Sequence, residues 1–153
     1  MSTSPKSNLI LMADDDSDDR LLAQDAINES GLDVELKFVE DGAQLMDYLK
    51  QRNQYSQPGL APRPGLIVLD LNMPRMDGRE ALNEIKTSPD LKRIPVVILT
   101  TSTSDTDVAR VYDLGANSFV SKPVAFESLV GLLKHLEQYW FKVVVLPAKA
   151  RAN

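Results

Sequence analysis

Four short apolar runs, separated by stretches with helical periodicity, constrain the fold of this chain more than any other feature of its sequence. They read LILMA from Leu9, LIVL from Leu66, VVIL from Val96 and SFVS from Ser118. Each run alternates little with polar residues and is bounded by turn or helix signals, which is typical of a parallel strand buried on both faces. The runs therefore predict a sheet whose strands are connected by helices.

One further strand completes the predicted sheet. The segment from Val34 to Val39 alternates apolar and polar residues, so we expect this strand at a sheet edge. Helices are expected to begin at or near the following residues: Ser17 as an N-cap, Asp41-Gly42, Arg79, Asp105 and Phe126. This order predicts an α/β fold, a doubly wound five-stranded parallel sheet with five helices in three layers.

Size and charge narrow the possible classes of function. The chain has 153 residues, 43% of them hydrophobic, which suits one compact domain. Acidic residues outnumber basic ones by 22 to 17 and no basic cluster stands out, which disfavours a nucleic-acid partner. The sequence has no cysteine, no signal peptide and no apolar run of about 20 residues, so we expect a cytoplasmic protein without a membrane partner.

Polar side chains follow the predicted strands at the points where they end. Asp14 and Asp15 follow the first strand, Asp70 the third, Thr100 the fourth and Lys122 the fifth. In an open parallel sheet, ligands bind in the crevice outside the carboxyl ends of the strands. Three close carboxylates suit a hard divalent cation such as Mg²⁺, and a lysine and a hydroxyl suit phosphoryl oxygens. The sequence therefore predicts a site that binds a cation and accepts a phosphoryl group.

The acidic segment after the first strand also has simpler interpretations. Asp16, Asp18 and Asp19 are interpreted as a helix cap or a solvated first turn. A calcium loop would use Asp14, Asp16, Asp18 and Asp25 as its positions one, three, five and twelve. However, Asp19 occupies position six, where the sharp turn requires glycine, and a strand precedes the segment where an EF-hand has a helix.

These motifs make the chain resemble the receiver domain of two-component response regulators, across about residues 8–139. The matching features are the Asp14-Asp15 pair, the segment LIVLDLNMPRMDG, the segment VVILTTS, and the dipeptide Lys122-Pro123. Pro123 favours a fixed peptide bond, either cis or trans, after Lys122. Such a bond would direct the lysine amine inward. The resemblance implies a flavodoxin-like receiver domain at 8–139, with a flexible N-terminus at 1–7 and an extension at 140–153.

The resemblance also implies roles for individual residues around the acceptor. Asp70 would accept a phosphoryl group from the phosphohistidine of a histidine kinase, and the protein would assist its own phosphorylation and dephosphorylation without being a true enzyme. Asp15, Asp70 and the backbone carbonyl of Asn72 would bind Mg²⁺, and Asp14 would hold metal-bound water. Aspartate at position 14 is shorter than the glutamate common there, which leaves open how directly it meets the metal.

Three further residues would respond to the phosphoryl group. By the same resemblance, Lys122 would pair with the phosphoryl oxygens and Thr100 would form a hydrogen bond with them. Phe119 stands at the position of the family's switch aromatic. Movement of Thr100 toward the phosphoryl group would let Phe119 turn inward.

A narrower resemblance points to the stand-alone response regulators of cyanobacterial phytochrome kinases. It rests on the proline-rich loop at 52–64, the segment DGREALNEIKTSPDLKRIPVVILTTS and the ending EQYWFKVVVLP. It implies a phytochrome-type histidine kinase as partner. Because the chain ends about thirty residues after Lys122, we expect no output domain and signalling through an unknown downstream protein.

Two other classes of protein use a related sheet. A phosphatase of the haloacid dehalogenase type would use Asp14 as its nucleophile and an acidic pair after the lysine, but no aspartate follows Lys122. A flavodoxin-like electron carrier would need a Ser/Thr/Gly-rich phosphate loop after the first strand, where this chain has acids. Both classes are therefore less favoured than a receiver.

The end of the chain is unusually apolar. Seven large apolar residues fall in eight positions: Tyr139, Trp140, Phe141, Val143, Val144, Val145 and Leu146. They could cap the domain's own core, but one helix end can hardly bury so many, and an exposed patch of this kind normally marks an association surface. We therefore expect a homodimer with two-fold symmetry, anchored by Trp140 and Phe141.

Overall fold

Helices cover both faces of a parallel sheet in the structure, a computed structural model that describes residues 8–101 and 104–147. The strands are β1 (Leu9–Ala13), β2 (Glu35–Val39), β3 (Leu66–Leu69), β4 (Val96–Thr100) and β5 (Ser118–Ser121). The helices are α1 (Ser17–Ser30), α2 (Gly42–Leu49), α3 (Gly78–Thr87), α4 (Asp105–Asp113) and α5 (Phe126–Glu137). The predicted α/β fold is confirmed.

The strand order is β2-β1-β3-β4-β5, with every neighbouring pair parallel. β2 lies at an edge, as its alternating pattern predicts. In register, Ala13 of β1 pairs with Leu69 of β3, and Leu69 pairs with Ile98 of β4. The residues that follow β1 and β3 therefore emerge side by side at the carboxyl edge of the sheet.

Each face of the sheet is covered by its own apolar core. One core packs α2, α3 and Val111 of α4 against alternate strand residues such as Leu11, Ile67 and Ile98. The other packs α1 and α5 against the residues between them, including Ile10 and Val68. Central strands are thus buried on both sides, which explains why their sequences hardly alternate.

One local prediction needs correction, and one open alternative is decided. Asp16, not Ser17, caps α1: its backbone is extended and its side chain accepts a hydrogen bond from the Asp18 N–H. Ser17 is already the first helical residue, because the aspartate one position earlier has the extended backbone and the acceptor that an N-cap needs. The peptide bond between Lys122 and Pro123 is trans, since the described residues contain no cis peptide bond.

The loop between α2 and β3 is anchored to the domain. It contains a short 3-10 turn at Asn53–Tyr55. The Tyr48 hydroxyl donates a hydrogen bond to the Pro62 carbonyl at 2.8 Å, and the Gln51 amide donates one to the Ala61 carbonyl at 3.0 Å. Because the loop leads into the amino end of β3, it lies away from the carboxyl edge of the sheet.

The apolar C-terminal segment divides between the core and the surface. After α5, a π-type helical turn covers Gln138–Val143. Phe141 is only 6% exposed, and Trp140 and Leu146 pack partly against the same core as α1 and α5. Tyr139, Val143 and Val145 are 51%, 61% and 92% exposed. Some side chains of this segment therefore cap the core, while others are exposed at the surface.

Part of the predicted domain organisation lies outside the described residues. This applies to the N-terminus at 1–7 and to positions 148–153 of the extension. Among the helices of the described ranges, none combines the length and apolar character needed to span a membrane.

Candidate functional site

Backbone hydrogen bonds fix the strand ends that carry the predicted site residues. The Asp70 N–H donates to the Ala13 carbonyl at 3.0 Å, and the Lys122 N–H donates to the Thr100 carbonyl at 3.0 Å. Each residue thus continues the pairing of its strand by one position before the chain turns away. Asp14, Asp70 and Thr100 are all buried. Their side chains therefore have little freedom.

The carboxylates of Asp14, Asp15 and Asp70 form a cluster at this edge. One oxygen from each lies within 4.8 Å of the others. Asp14 and Asp70 are buried while Asp15 is exposed, so the cluster is open on one side. Carboxylate oxygens are hard ligands that favour Mg²⁺, Mn²⁺ or Ca²⁺ over softer metals. The donor set fits a divalent cation.

Asn72 lies directly beside this cluster. Its backbone N–H donates a hydrogen bond to Asp70 Oδ1 at 3.2 Å. The contact orients the Asp70 carboxylate and keeps the backbone of the following loop next to it. The residue predicted to supply a carbonyl ligand is therefore close to the acidic cluster.

Lys122 brings a positive charge to the same carboxylates. Its Nζ atom lies 2.9 Å from Asp14 Oδ2, 2.6 Å from Asp19 Oδ2 and 2.9 Å from Asp70 Oδ2. Burial lowers the pKa of Lys122, but the hydrogen bonds that it donates to Asp19, Asp14 and Asp70 outweigh this effect and raise the pKa above its ordinary value. The ammonium group stays charged.

The burial of Asp14 makes its ionised form less favourable. Burial raises its pKa above the ordinary 3.8, and the hydrogen bond from Lys122 and that from the Asp16 N–H only partly offset this effect. The Asp16 N–H lies 2.9 Å from Asp14 Oδ1. A buried carboxylate of this kind is stabilised by an additional cation.

Asp19 is a site residue that the sequence analysis missed. Its position in an acidic segment predicts a solvated first turn, but its carboxylate makes the shortest of the three ion pairs with Lys122. Sequence spacing offers one signal: only three residues separate the end of β1 from the start of α1, so the first turn of α1 must remain close to the crevice. Only the tertiary packing shows which side of that turn faces Lys122.

The loop after Asp70 is braced against the start of α2. The Gly42 N–H donates to the Met76 carbonyl at 2.9 Å, and Arg75 forms an ion pair with the buried Asp41 at 2.8 Å. Glycine is required at position 42 because a β-carbon would overlap the Met76 carbonyl. Arg75 itself has a left-handed backbone with φ of 67°. The ion pair helps to hold this unusual conformation.

The residues predicted to form the switch lie on the α4 side of the site. Thr100 ends β4 and is fully buried. Phe119 of β5 is half-buried against the core beneath α3 and α4, and its N–H donates to the Tyr112 hydroxyl at 3.1 Å. Arg79 of α3 forms an ion pair with Asp107 of α4 at 2.9 Å. These contacts connect α4 with β5 and with α3.

Comparison with known proteins gives a consistent result. Residues 10–134 match the response regulator receiver domain family. The response regulator Rcp1 of Synechocystis sp. is 43% identical over 147 residues, which cover 96% of this chain and 97% of Rcp1. The similarity thus extends over nearly the whole length of both proteins.

Two solved structures extend the comparison to the fold. The Mn²⁺-bound form of Rcp1 matches with a TM-score of 0.80 and 43% identity, covering 92% of this chain and 99% of the other. The phosphorylated cyanobacterial phytochrome response regulator RcpA matches with a TM-score of 0.84 and 40% identity, covering 93% and 99%.

Proposed function

The chain belongs to the response regulator receiver domain family and is a signalling protein of that kind, and on this premise we propose that it accepts a phosphoryl group on Asp70 from the phosphohistidine of a histidine kinase. One observation carries the proposal: the buried Asp70 carboxylate lies 2.9 Å from the Lys122 ammonium group, within an acidic cluster that fits a divalent cation. In the transfer, the N–P bond of the phosphohistidine breaks as a bond forms between phosphorus and an Asp70 oxygen.

The chain's own residues would act mainly through position and charge. The Asn72 N–H orients Asp70, and Lys122 offers N–H donors to the negative charge on the transferred phosphoryl oxygens. Thr100, buried at the end of β4, would add a hydrogen bond. The same charged groups would assist later hydrolysis of the acyl phosphate, so the protein would take part in its own dephosphorylation.

We propose Mg²⁺ as the cation, held by Asp15, Asp70 and the Asn72 carbonyl, with Asp14 binding metal-bound water. The acidic cluster supports this assignment, and so does the existence of a Mn²⁺-bound structure of the relative Rcp1. When bound, the ion would neutralise charge on the phosphoryl oxygens.

The proposed partner is a phytochrome-type histidine kinase in the cytoplasm. RcpA, a regulator 40% identical to this chain, is described as a phytochrome response regulator. Apolar side chains beside the site offer a contact surface: Leu22 of α1 is partly exposed, and Val124, two residues after Lys122, is fully exposed. A kinase surface that presents its phosphohistidine to Asp70 would contact this region.

The output would pass through a conformational switch and a second copy of the chain. We propose that phosphorylation draws Thr100 toward the phosphoryl group and lets the half-buried Phe119 turn inward. We also propose that the receiver domain spans 8–139 and that the extension at 140–153 forms a homodimer. Exposed Tyr139, Val143 and Val145 support the dimer, with Trp140 at the edge of that patch and Phe141 supporting it from the core.

Phosphorylation of the intact protein and of Asp70→Asn by acetyl phosphate tests the central proposal. With Mg²⁺ the intact protein should gain one phosphoryl group by intact mass, and it should gain none in EDTA. Asp70→Asn should gain none under either condition. Asp18→Asn is the matched control, since Asp18 is an exposed acid in the same acidic segment that follows β1. Labelling of Asp70→Asn at the normal rate would disprove the assignment.

A further inference from the structure

The ammonium group of Lys122 is paired with three carboxylates in this structure. It has three N–H donors, and its nitrogen lies 2.6–2.9 Å from an oxygen of each of Asp14, Asp19 and Asp70. The contact with Asp19 is the shortest of the three. Any change at the site must therefore redistribute these bonds.

Two of the three partners of Lys122 have other tasks in phosphoryl transfer. Under the function proposed above, Asp70 becomes part of an acyl phosphate and Asp14 takes part in cation binding. Both side chains then interact with groups other than the lysine. Asp19 is not part of the cation-binding cluster found among the described residues. It is the partner that can stay with Lys122 throughout the reaction.

Asp19 is also held firmly enough to orient a flexible lysine. It lies in the first turn of α1, which Asp16 caps and which Arg20 ties to the residue directly after β1 by donating to the Asp14 carbonyl at 2.8 Å. α1 packs through its buried Ala23 against the core that it shares with α5. The backbone that carries the Asp19 carboxylate is therefore fixed in place.

Apolar residues surround the lysine on the same side. A cleft beside Asp14, Asp19 and Lys122 is lined by apolar side chains from four elements and one loop: Met12, Leu22, Ala23, Leu99, Pro123 and Leu129. The side chain of Lys122 is only 15% exposed. Water therefore competes weakly for the ammonium group, which strengthens its pairing with Asp19.

We propose that Asp19 is a positioning residue for phosphoryl transfer. It retains one N–H of Lys122 and thereby directs the other two toward the phosphoryl oxygens when Asp14 and Asp70 are otherwise engaged. This role rests on the function proposed above. It goes beyond that function because it assigns a fourth acidic residue to the reaction, outside the three carboxylates that fit the cation.

The test compares Asp19→Ala and Asp19→Asn with the intact protein, using phosphoramidate as donor at saturating Mg²⁺. We expect the rate constant for phosphorylation, followed by intact mass, to fall by about tenfold in Asp19→Ala, because a misdirected group costs rate. The rate constant of Asp19→Asn should fall less, because its amide oxygen still accepts a hydrogen bond. Mg²⁺ affinity from calorimetry should change by less than about threefold, as for the loss of a partly exposed charge.

Asp18→Ala is the matched control, since it removes an exposed acid from the same helical turn. It should phosphorylate at the rate of the intact protein. A second control uses Lys122→Met: adding Asp19→Ala to it should cause no further loss of rate, because Asp19 acts through the lysine. A purely structural role of Asp19 would instead give independent losses.

The outcomes separate this proposal from the proposed function. If the intact protein takes no label with Mg²⁺, the proposed function fails. If the intact protein is labelled and both Asp19 variants react at its rate, the positioning role is wrong while the proposed function stands. Independent rate losses in the double variant would also overturn the positioning role. Urea unfolding shows whether each variant remains folded.

Discussion

At the scale of single residues, the site is a balance between acidic groups and one lysine. Asp14 and Asp70 are buried, and both accept a hydrogen bond from Lys122. The lysine therefore pairs with two of the carboxylates that would also bind a divalent cation. The raised pKa of Asp14, caused first by its burial, indicates that this environment still prefers additional positive charge.

Replacing Lys122 by methionine should expose that balance. Two buried carboxylates would lose their nearest cation, so we expect the free energy of unfolding in EDTA to fall by about 2 kcal/mol. Mg²⁺ should restore most of the loss and bind more tightly than to the intact protein. Urea unfolding with and without Mg²⁺ measures both effects. Lys134→Met, at an exposed lysine of α5, should change neither, and equal behaviour of the two variants would contradict this account.

At the scale of elements, the loop from β3 to α3 depends on two close backbone approaches. The Gly42 N–H at the start of α2 donates to the Met76 carbonyl. At Gly78, the first residue of α3, a β-carbon would overlap the backbone carbonyl oxygen of Asp70. Glycines at 42 and 78 thus let the loop that carries Asn72 lie close to the acceptor.

Gly78→Ala should disturb the site directly. The added methyl group pushes against the backbone of Asp70, so we expect a loss of about 2 kcal/mol in stability and at least tenfold weaker Mg²⁺ binding. Thermal unfolding and calorimetry measure these quantities. Gly131→Ala in α5 is the control, because no atom lies within 4 Å of its added β-carbon. That variant should be more stable by about 0.5–1 kcal/mol and bind Mg²⁺ normally.

At the scale of the whole molecule, the C-terminal segment contributes both to the core of the domain and to the surface proposed for the dimer. Phe141 is buried with the residues of α1 and α5, whereas Val143 and Val145 are exposed a few residues later. Truncation of the segment would remove both groups at once. Substitution of individual residues separates their contributions to stability and to association.

Val143→Glu combined with Val145→Glu should convert the proposed dimer to a monomer while leaving the unfolding temperature nearly unchanged. Charged groups cannot be buried in an interface without partners.

Phe141→Ala should instead lower stability by about 3 kcal/mol, because it opens a cavity in the core. Sedimentation velocity and urea unfolding measure these effects. Val124→Glu, at an exposed valine outside the segment, should remain dimeric; an intact protein that is monomeric at high micromolar concentration would refute the dimer.

Much of the fold could be predicted from the sequence because its signals are local. Runs such as LIVL at 66–69 hardly alternate, since both faces of a central strand are buried, and the alternating segment at 35–39 proved to be an edge strand. Parallel strands also have all their carboxyl ends at one edge. For that reason the closeness of Asp14, Asp70 and Lys122 followed from their positions after β1, β3 and β5.

Only the tertiary structure decided which of two neighbouring side chains points toward a distant residue or into the core. Asp18 and Asp19 are equivalent in sequence, yet only Asp19 reaches Lys122, more than one hundred residues away, because of how α1 rotates against β1. In the same way, Phe141 is buried and Val143 is exposed although both continue one apolar run. Composition and periodicity determined the sheet and its reactive edge; helix rotation and close packing, which involve distant residues, determined which neighbouring side chains take part.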